Sequence, residues 1–246
     1  MSHDPLAFNH VLFYGRGYEE VLEMVALKEA DLAGKKILDC PSGPDAFVAG
    51  AARRGFDITG CDPIYAGTLE EVTAQGRADI TLAQEESLKH QEQMGGVDVV
   101  AFSARKFRAL EEFRADFEAG KSAGRYLPAS LPRLPFPDKA FDLVISANLL
   151  FTYSSAATGG IADSDRLDLE FHRASVHELI RVCRGELRLY PIMTHGKARL
   201  HPYVAQIIGQ LAADGISMSF VESDYEQGNF TGHLVLVVDC LEPVPR

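Results

Sequence analysis

A carboxylate closes the apolar run Ile37-Leu38-Asp39, and Cys40, Pro41, Ser42 and Gly43 then turn the chain into the helix-like run Ala46 to Arg54. Further on, Asp57-Ile58-Thr59-Gly60-Cys61 ends on a second carboxylate, Asp62. A strand, a tight turn, a helix and a second strand with a terminal acid make up the nucleoside-binding half of a doubly wound sheet. The chemistry available there is recognition. The backbone of the turn approaches the ligand, and the second acid accepts hydrogen bonds from ribose hydroxyls.

Such residues need a sheet to hold them, and the rest of the chain supplies one. Tyr18, Val21, Leu22, Val25, Ala26 and Leu32 recur at helical spacing over 17–33, with Gly34 as the stop. Strands are expected at 36–39, 57–61 and 125–129. The run Phe141 to Ser146 is apolar throughout, as in a parallel strand covered on both faces. Later strands are expected at 186–192, 216–222 and 233–240, with helices at 167–183 and 201–213. Residues 152–166 are small and polar and read as a loop. This alternation predicts an α/β fold: a mostly parallel, doubly wound sheet with helices on both faces. Residues 68–123 are too long for an ordinary connection and read as a helical insertion after strand two, a lid or a surface elaboration. Within it, the apolar island Val97 to Phe102 is open to either a strand or a buried helical turn.

The 246 residues carry a formal charge of −11, which argues against a surface that tracks nucleic-acid phosphates. Basic residues gather only between Arg105 and Arg125, where Glu111, Glu112, Asp116 and Glu118 interrupt them. That pattern reads as a solvated helix face. No apolar stretch approaches the ~20 residues of a membrane span, and the N-terminus has no apolar leader. Cys40, Cys61, Cys183 and Cys240 form no CxxC pair and read as free thiols of a reducing compartment. The expectation is a cytoplasmic protein that acts on a small molecule, without nucleic acid, membrane or metal.

The turn at 39–45, the acid at 62 and the segment Leu134-Pro135-Phe136-Pro137-Asp138-Lys139-Ala140-Phe141-Asp142 together resemble the class I S-adenosylmethionine-dependent methyltransferases. The likeness is greatest to the branch with an LPFPD-type segment before strand four, and it spans about residues 10–240 without the insertion. It implies a Rossmann-like methyltransferase fold of seven strands, the last antiparallel to the others, with S-adenosylmethionine as cofactor. By the same resemblance Asp39 contacts the methionine amino group, Pro41 and Gly43 form the turn, and Asp62 accepts from the ribose. Ser130 and Leu131 then meet the adenine, and the end of strand four from Ser146 to Leu149 faces the methyl donor. Pro41 and Asp45 stand where the family has its first and third glycines, and Ser130 where it usually has an acid. The turn is therefore redrawn, and the hydrogen bond to adenine becomes neutral. Phe13-Tyr14-Gly15-Arg16-Gly17-Tyr18 resembles the segment that closes over the cofactor. There Arg16 would pair with the methionine carboxylate; otherwise it is an exposed arginine beside an aromatic cap.

Methyl transfer from a sulfonium is an in-line displacement that needs proximity and excluded water more than acid–base groups, so no catalytic residue is assigned. His172 and His177 lie five apart on one helix, which sets them on different faces and makes them unsuited to a shared metal. His195, after strand five, is either a base for an acceptor or a solvated loop histidine. Tyr153 and Tyr225 are candidate acceptor contacts. The expected activity is methyl transfer to a small-molecule or peptide acceptor. The alternatives are another transferase that uses the same cofactor class and a non-catalytic module that binds the cofactor through a degraded turn. A nicotinamide reductase fits less well, because the turn lacks the glycine spacing such enzymes use.

Overall fold

The computed structural model describes residues 8–90, 96–196, 199–225 and 234–241. Seven strands form one sheet: β1 Lys36–Asp39, β2 Asp57–Cys61, β3 Tyr126–Leu127, β4 Phe141–Ala147, β5 Cys183–Tyr190, β6 Met218–Glu222 and β7 Leu234–Asp239. Their order is β3-β2-β1-β4-β5-β7-β6. β1 to β5 pair in parallel, and β7 runs antiparallel to both β5 and β6. The fold is the doubly wound, mostly parallel, Rossmann-like sheet expected from the sequence. Position 233, the expected start of the last strand, lies outside the described residues.

Alternation along the strands divides the core in two. Ile37 of β1 and Ile145 of β4 pack on one face with Phe47 and Phe113. Leu38 and Val144 face the other side, with Val176, Leu179 and Leu236. The helices that cover these faces are α1 Tyr18–Met24, α2 Ala46–Arg53, α3 Leu69–Lys89, α4 Val99–Ser122, α5 Leu169–Val182 and α6 Pro202–Ala213. The order in β1, β2 and β4 reverses around β1. The sheet therefore opens a crevice beyond the carboxyl ends of these strands, where ligands bind in this architecture.

Three expectations change, and one left open is decided. The helix expected over 17–33 ends at Met24, and a 3-10 turn follows at Glu29–Leu32. Arg188 of β5 stops it by donating to the carbonyls of Val25 and Ala26 at 2.7 and 2.6 Å, a contact from 162 residues away in sequence. The apolar island 97–102 opens helix α4, because the Asp98 side chain accepts from the Ala101 N–H and caps it. Strand β3 has two residues rather than five, and β5 starts at Cys183, directly at the end of α5.

α3 and α4 fill the stretch between β2 and β3, apart from residues 91–95, which lie outside the described residues. They are fastened to the sheet by an aromatic cluster. Phe113 and Phe117 of α4 pack with Tyr65 and with Tyr126 of β3 at centroid separations of 5.0 to 5.8 Å.

Candidate functional site

A cavity of about 640 Å³ lies over the carboxyl ends of β1, β2, β3 and β4. Its floor is formed by Pro41, Ser42 and Gly43 after β1, Asp62 after β2, Ser130 and Leu131 after β3, and Asn148 after β4. The segment 8–16 crosses it as a strap, and α3 and α4 supply a side wall through Asp79, Phe102 and Lys106. Its size falls within the ~300–1,000 Å³ of small-molecule sites.

The floor turn is held by its own residues. Gly43 adopts φ +56°, the left-handed region that glycine enters without strain. Its N–H donates to Asp62 Oδ2 at 3.2 Å, and its carbonyl accepts from the Tyr65 hydroxyl. The other Asp62 oxygen accepts from the Ile64 N–H at 3.1 Å. The Ser42 N–H donates to the Cys61 carbonyl at 2.8 Å, and the Cys40–Pro41 peptide is cis. The redrawn turn thus closes on itself through Asp62 and Tyr65, where a glycine-rich turn would offer its amides outward.

Charge at this corner is acidic and buried. Burial raises Asp62 to about 6, against its two N–H bonds. Burial also raises Asp45 to about 7, opposed chiefly by Arg16. Asp39 is 2 % exposed. Burial and then the charge of Asp45 hold it well above the usual carboxylate range, with the nearby Ser42 hydroxyl working the other way. Neither Asp39 Oδ2 nor the Ser42 Oγ makes a hydrogen bond.

The strap is pinned along its length. The Phe8 N–H donates to the Ile161 carbonyl at 2.8 Å, and the Leu12 N–H donates to the Tyr153 hydroxyl at 3.1 Å. Asp79 of α3 takes the Phe13 N–H at 2.7 Å and also meets His10 Nε2 at 3.0 Å and Gln75 Nε2 at 2.9 Å. At the far end the Arg16 N–H donates to Asp45, and the Arg16 carbonyl accepts from the Ala46 N–H at 2.9 Å. Gly15 permits this approach, since a Cβ there would lie 2.3 Å from the Pro44 carbonyl oxygen.

Beneath the strap lies a buried ion cluster. Glu20 receives Lys106 Nζ at 2.6 Å, the Tyr225 hydroxyl at 2.6 Å and the Gly17 N–H at 3.1 Å, and Arg16 Nε lies 3.7 Å away. Against the cost of burial, Lys106 and then Arg16 hold Glu20 down at about 2. Burial, with Arg16 nearby, brings Lys106 down to about 7.

Of the residues expected at the site, Arg16, Pro41, Gly43, Asp62, Ser130 and Leu131 line the cavity. Asp39 and Ser146 do not line it; both are buried beneath the wall. Strand alternation explains Ser146: it shares a face with Val144, and β4 reaches the cavity through Ala147, with Asn148 and Leu149 following it. Arg16 is 3 % exposed, unlike the solvated arginine of the alternative reading. His195 and Tyr153 line the cavity, whereas Tyr225 stands behind it on Glu20. Sequence reasoning missed Asp79, Lys106 and Glu20. The Gln75–Asp79 spacing of i, i+4 was a local signal for the first, but the partners of the other two come from distant elements.

His172 and His201 form a separate buried pair. His172 Nδ1 meets the Asp168 carbonyl at 2.7 Å, and its Nε2 accepts from the Phe151 N–H at 2.8 Å. His201 Nδ1 accepts from the Tyr203 N–H at 3.1 Å, and its Nε2 meets Ser154 Oγ at 2.8 Å. His172 is therefore a buried structural residue, while His177 is exposed. Among the described residues, no group of three or more His, Cys, Asp or Glu is placed to hold a metal ion. Among the same residues, no helix is long and apolar enough to cross a membrane.

No protein-family model matches the chain. It is 26% identical over 199 residues to an uncharacterized protein of Methanocaldococcus jannaschii, covering 76% of this chain and 80% of that one. Among solved structures it is similar to magnesium protoporphyrin IX methyltransferase from Synechocystis with bound SAH. That likeness has a TM-score of 0.46 and 15% identity, over 90% of this chain and 83% of that one. A possible histamine N-methyltransferase from Thermotoga maritima gives a TM-score of 0.40 and 10% identity, over 91% and 88% of the two chains. With TM-scores below 0.5, these likenesses carry no assignment by themselves.

Proposed function

We propose that the protein is an S-adenosylmethionine-dependent methyltransferase for a small-molecule or peptide acceptor, with 68–123 as the lid over its site. One observation carries this reading: a nucleoside-sized cavity opens at the switch point of the sheet, directly against an acidic corner. Asp39, Asp45 and Asp62 make that corner favourable to a ligand bearing positive charge. The cofactor, when bound, supplies an electrophilic methyl group on a sulfonium. The residues present fit it. In this reading Asp62 accepts from a ribose, and Ser42, whose hydroxyl lies close to Asp39 and Tyr65 without completing a hydrogen bond, stands at the cavity wall. In the same reading Ser130 and Leu131, which line the cavity, would bound the adenine, and Arg16, which also lines it, would meet the methionine carboxylate.

The chain's own contribution is positioning and exclusion of water. The strap crosses the site and the two insertion helices wall it, and the apolar Leu12, Leu149 and Phe171 surround the space left for an acceptor. His195 at the rim is the candidate to take a proton from an acceptor that needs deprotonation. The four cysteines are free and buried, in keeping with a cytoplasmic setting.

The closed turn favours a second reading, a non-catalytic module that binds the cofactor without turnover. Titration calorimetry with S-adenosylmethionine and S-adenosylhomocysteine tests the binding, and transfer of a labelled methyl group into a metabolite extract tests the turnover. Asp62→Ala should weaken binding by about 1–3 kcal/mol, the cost of an orphaned polar partner. Absence of heat with both ligands overturns both readings, and binding without label transfer favours the module.

A further inference from the structure

Two buried basic side chains, Arg16 and Lys106, line the cavity, and the second comes from the insertion. Lys106 of α4 is 1 % exposed yet lines the cavity. Among the described residues its one hydrogen-bond acceptor is Glu20, at 2.6 Å, and its ammonium sits 4.5 Å from the centroid of the Phe102 ring. An ammonium carries three donors, so one contact to a carboxylate and one to a ring leave donor capacity at the cavity wall. A lysine this buried is costly unless its charge is matched. Here Arg16 and Lys106 share Glu20, while Asp45 accepts the Arg16 N–H. Glu20 is further occupied by Tyr225 and Gly17. This cluster can take an additional anion between its two cations.

We infer that Lys106 is a second receptor, beside Arg16, for the carboxylate of the ligand's amino-acid end. The inference rests on the S-adenosylmethionine reading. It makes α4 half of the cofactor site, in addition to any part the insertion has in choosing an acceptor. Burial, with Arg16 nearby, lowers Lys106 to about 7, so it is partly charged at neutral pH in the free protein, and an arriving carboxylate would favour its charged form. Discrimination follows: a nucleoside thioether that lacks the amino-acid end gains nothing from Lys106.

The test compares S-adenosylhomocysteine with 5′-methylthioadenosine, which lacks that end, on the full-length protein by calorimetry. Lys106→Met should weaken S-adenosylhomocysteine about 10- to 100-fold, the range for a hydrogen bond to a charged group, and leave methylthioadenosine within about twofold. Lys106→Met alone leaves Glu20 with less compensation, so the double variant with Glu20→Gln controls for folding and should show the same selective loss. Equal weakening of both ligands, or of neither, overturns the inference while the cofactor reading stands. If the unaltered protein binds neither ligand, the reading itself has failed, and the inference with it.

Discussion

The molecule buries two polar clusters of opposite character. At the histidine pair every ring nitrogen has a partner within the protein, from Asp168, Phe151, Tyr203 and Ser154. At the acidic corner three carboxylates are held above their ordinary range by burial, and Asp39 Oδ2 and Ser42 Oγ remain without a partner. Both are expensive to bury. The first recovers that cost through hydrogen bonds and stabilises the loop after β4, whereas the second keeps part of it unrelieved beside a cavity. A buried polar cluster that is satisfied internally is structural, and one left unsatisfied beside an opening is poised for a ligand.

The largest effect that tests this contrast belongs to the satisfied cluster. His172→Leu orphans the Phe151 N–H, whereas the Asp168 carbonyl keeps the backbone N–H of residue 172 at 3.1 Å. The expected loss is about 1–3 kcal/mol in urea unfolding, the cost of one orphaned buried donor, with S-adenosylhomocysteine affinity unchanged in the folded variant. A variant of normal stability that no longer binds would place the pair in the site and break the distinction.

The same contrast explains what the sequence could reveal. The sheet corner was readable because local pattern made it: apolar runs ending at Asp39 and Asp62, a glycine at 43 that must turn, and the strong run of β4. Its boundaries at β1 and β2 coincide with the expected ones, since each strand is short and closes on an acid. The side wall was not readable. Lys106 meets Glu20 from 86 positions away and Asp79 meets Phe13 from 66, and neither separation leaves a trace in periodicity. Arg188 ending α1 is a third case. The reading of His172 as a helix residue stopped short for a related reason: helical spacing tells which face a residue occupies but not that the Phe151 N–H waits there.

The next effect is a pH profile in which the clusters oppose one another. Burial, with His172 nearby, lowers His201 to about 4. Between pH 6.5 and 4 the unfolded chain then binds more protons, and stability falls as pH falls. From pH 6.5 to 4.5 that loss is on the order of 2 kcal/mol. Asp62 and Asp45, raised to about 6 and 7, bind protons more readily in the folded state, so they add stability as pH falls over the same window. Glu20, lowered to about 2, acts below pH 4.5 and does not enter. The two carboxylates together outweigh the one histidine, so the urea midpoint of the unaltered protein should rise modestly from pH 6.5 to 4.5. His201→Gln removes the opposing arm, and its midpoint should rise more steeply on acidification. A midpoint that falls instead would mean that the acidic corner is not strained by its own charge.

Asp39→Asn carries the smallest effect and the sharpest discrimination. An amide of the same shape removes a carboxyl that burial makes costly to ionise, so stability should rise by about 1 kcal/mol where that carboxyl is charged. A carboxylate raised in the folded state weighs on stability increasingly as pH rises. The gain should therefore shrink as pH falls and the native carboxyl takes up its proton. Affinity for S-adenosylhomocysteine should move the other way and weaken, because the corner loses part of the negative field that favours the ligand's ammonium. Stability gained where binding is lost marks a group kept for function. Loss of stability on the scale of His172→Leu would instead make Asp39 a framework residue and leave Asp62 as the corner's ligand-facing acid.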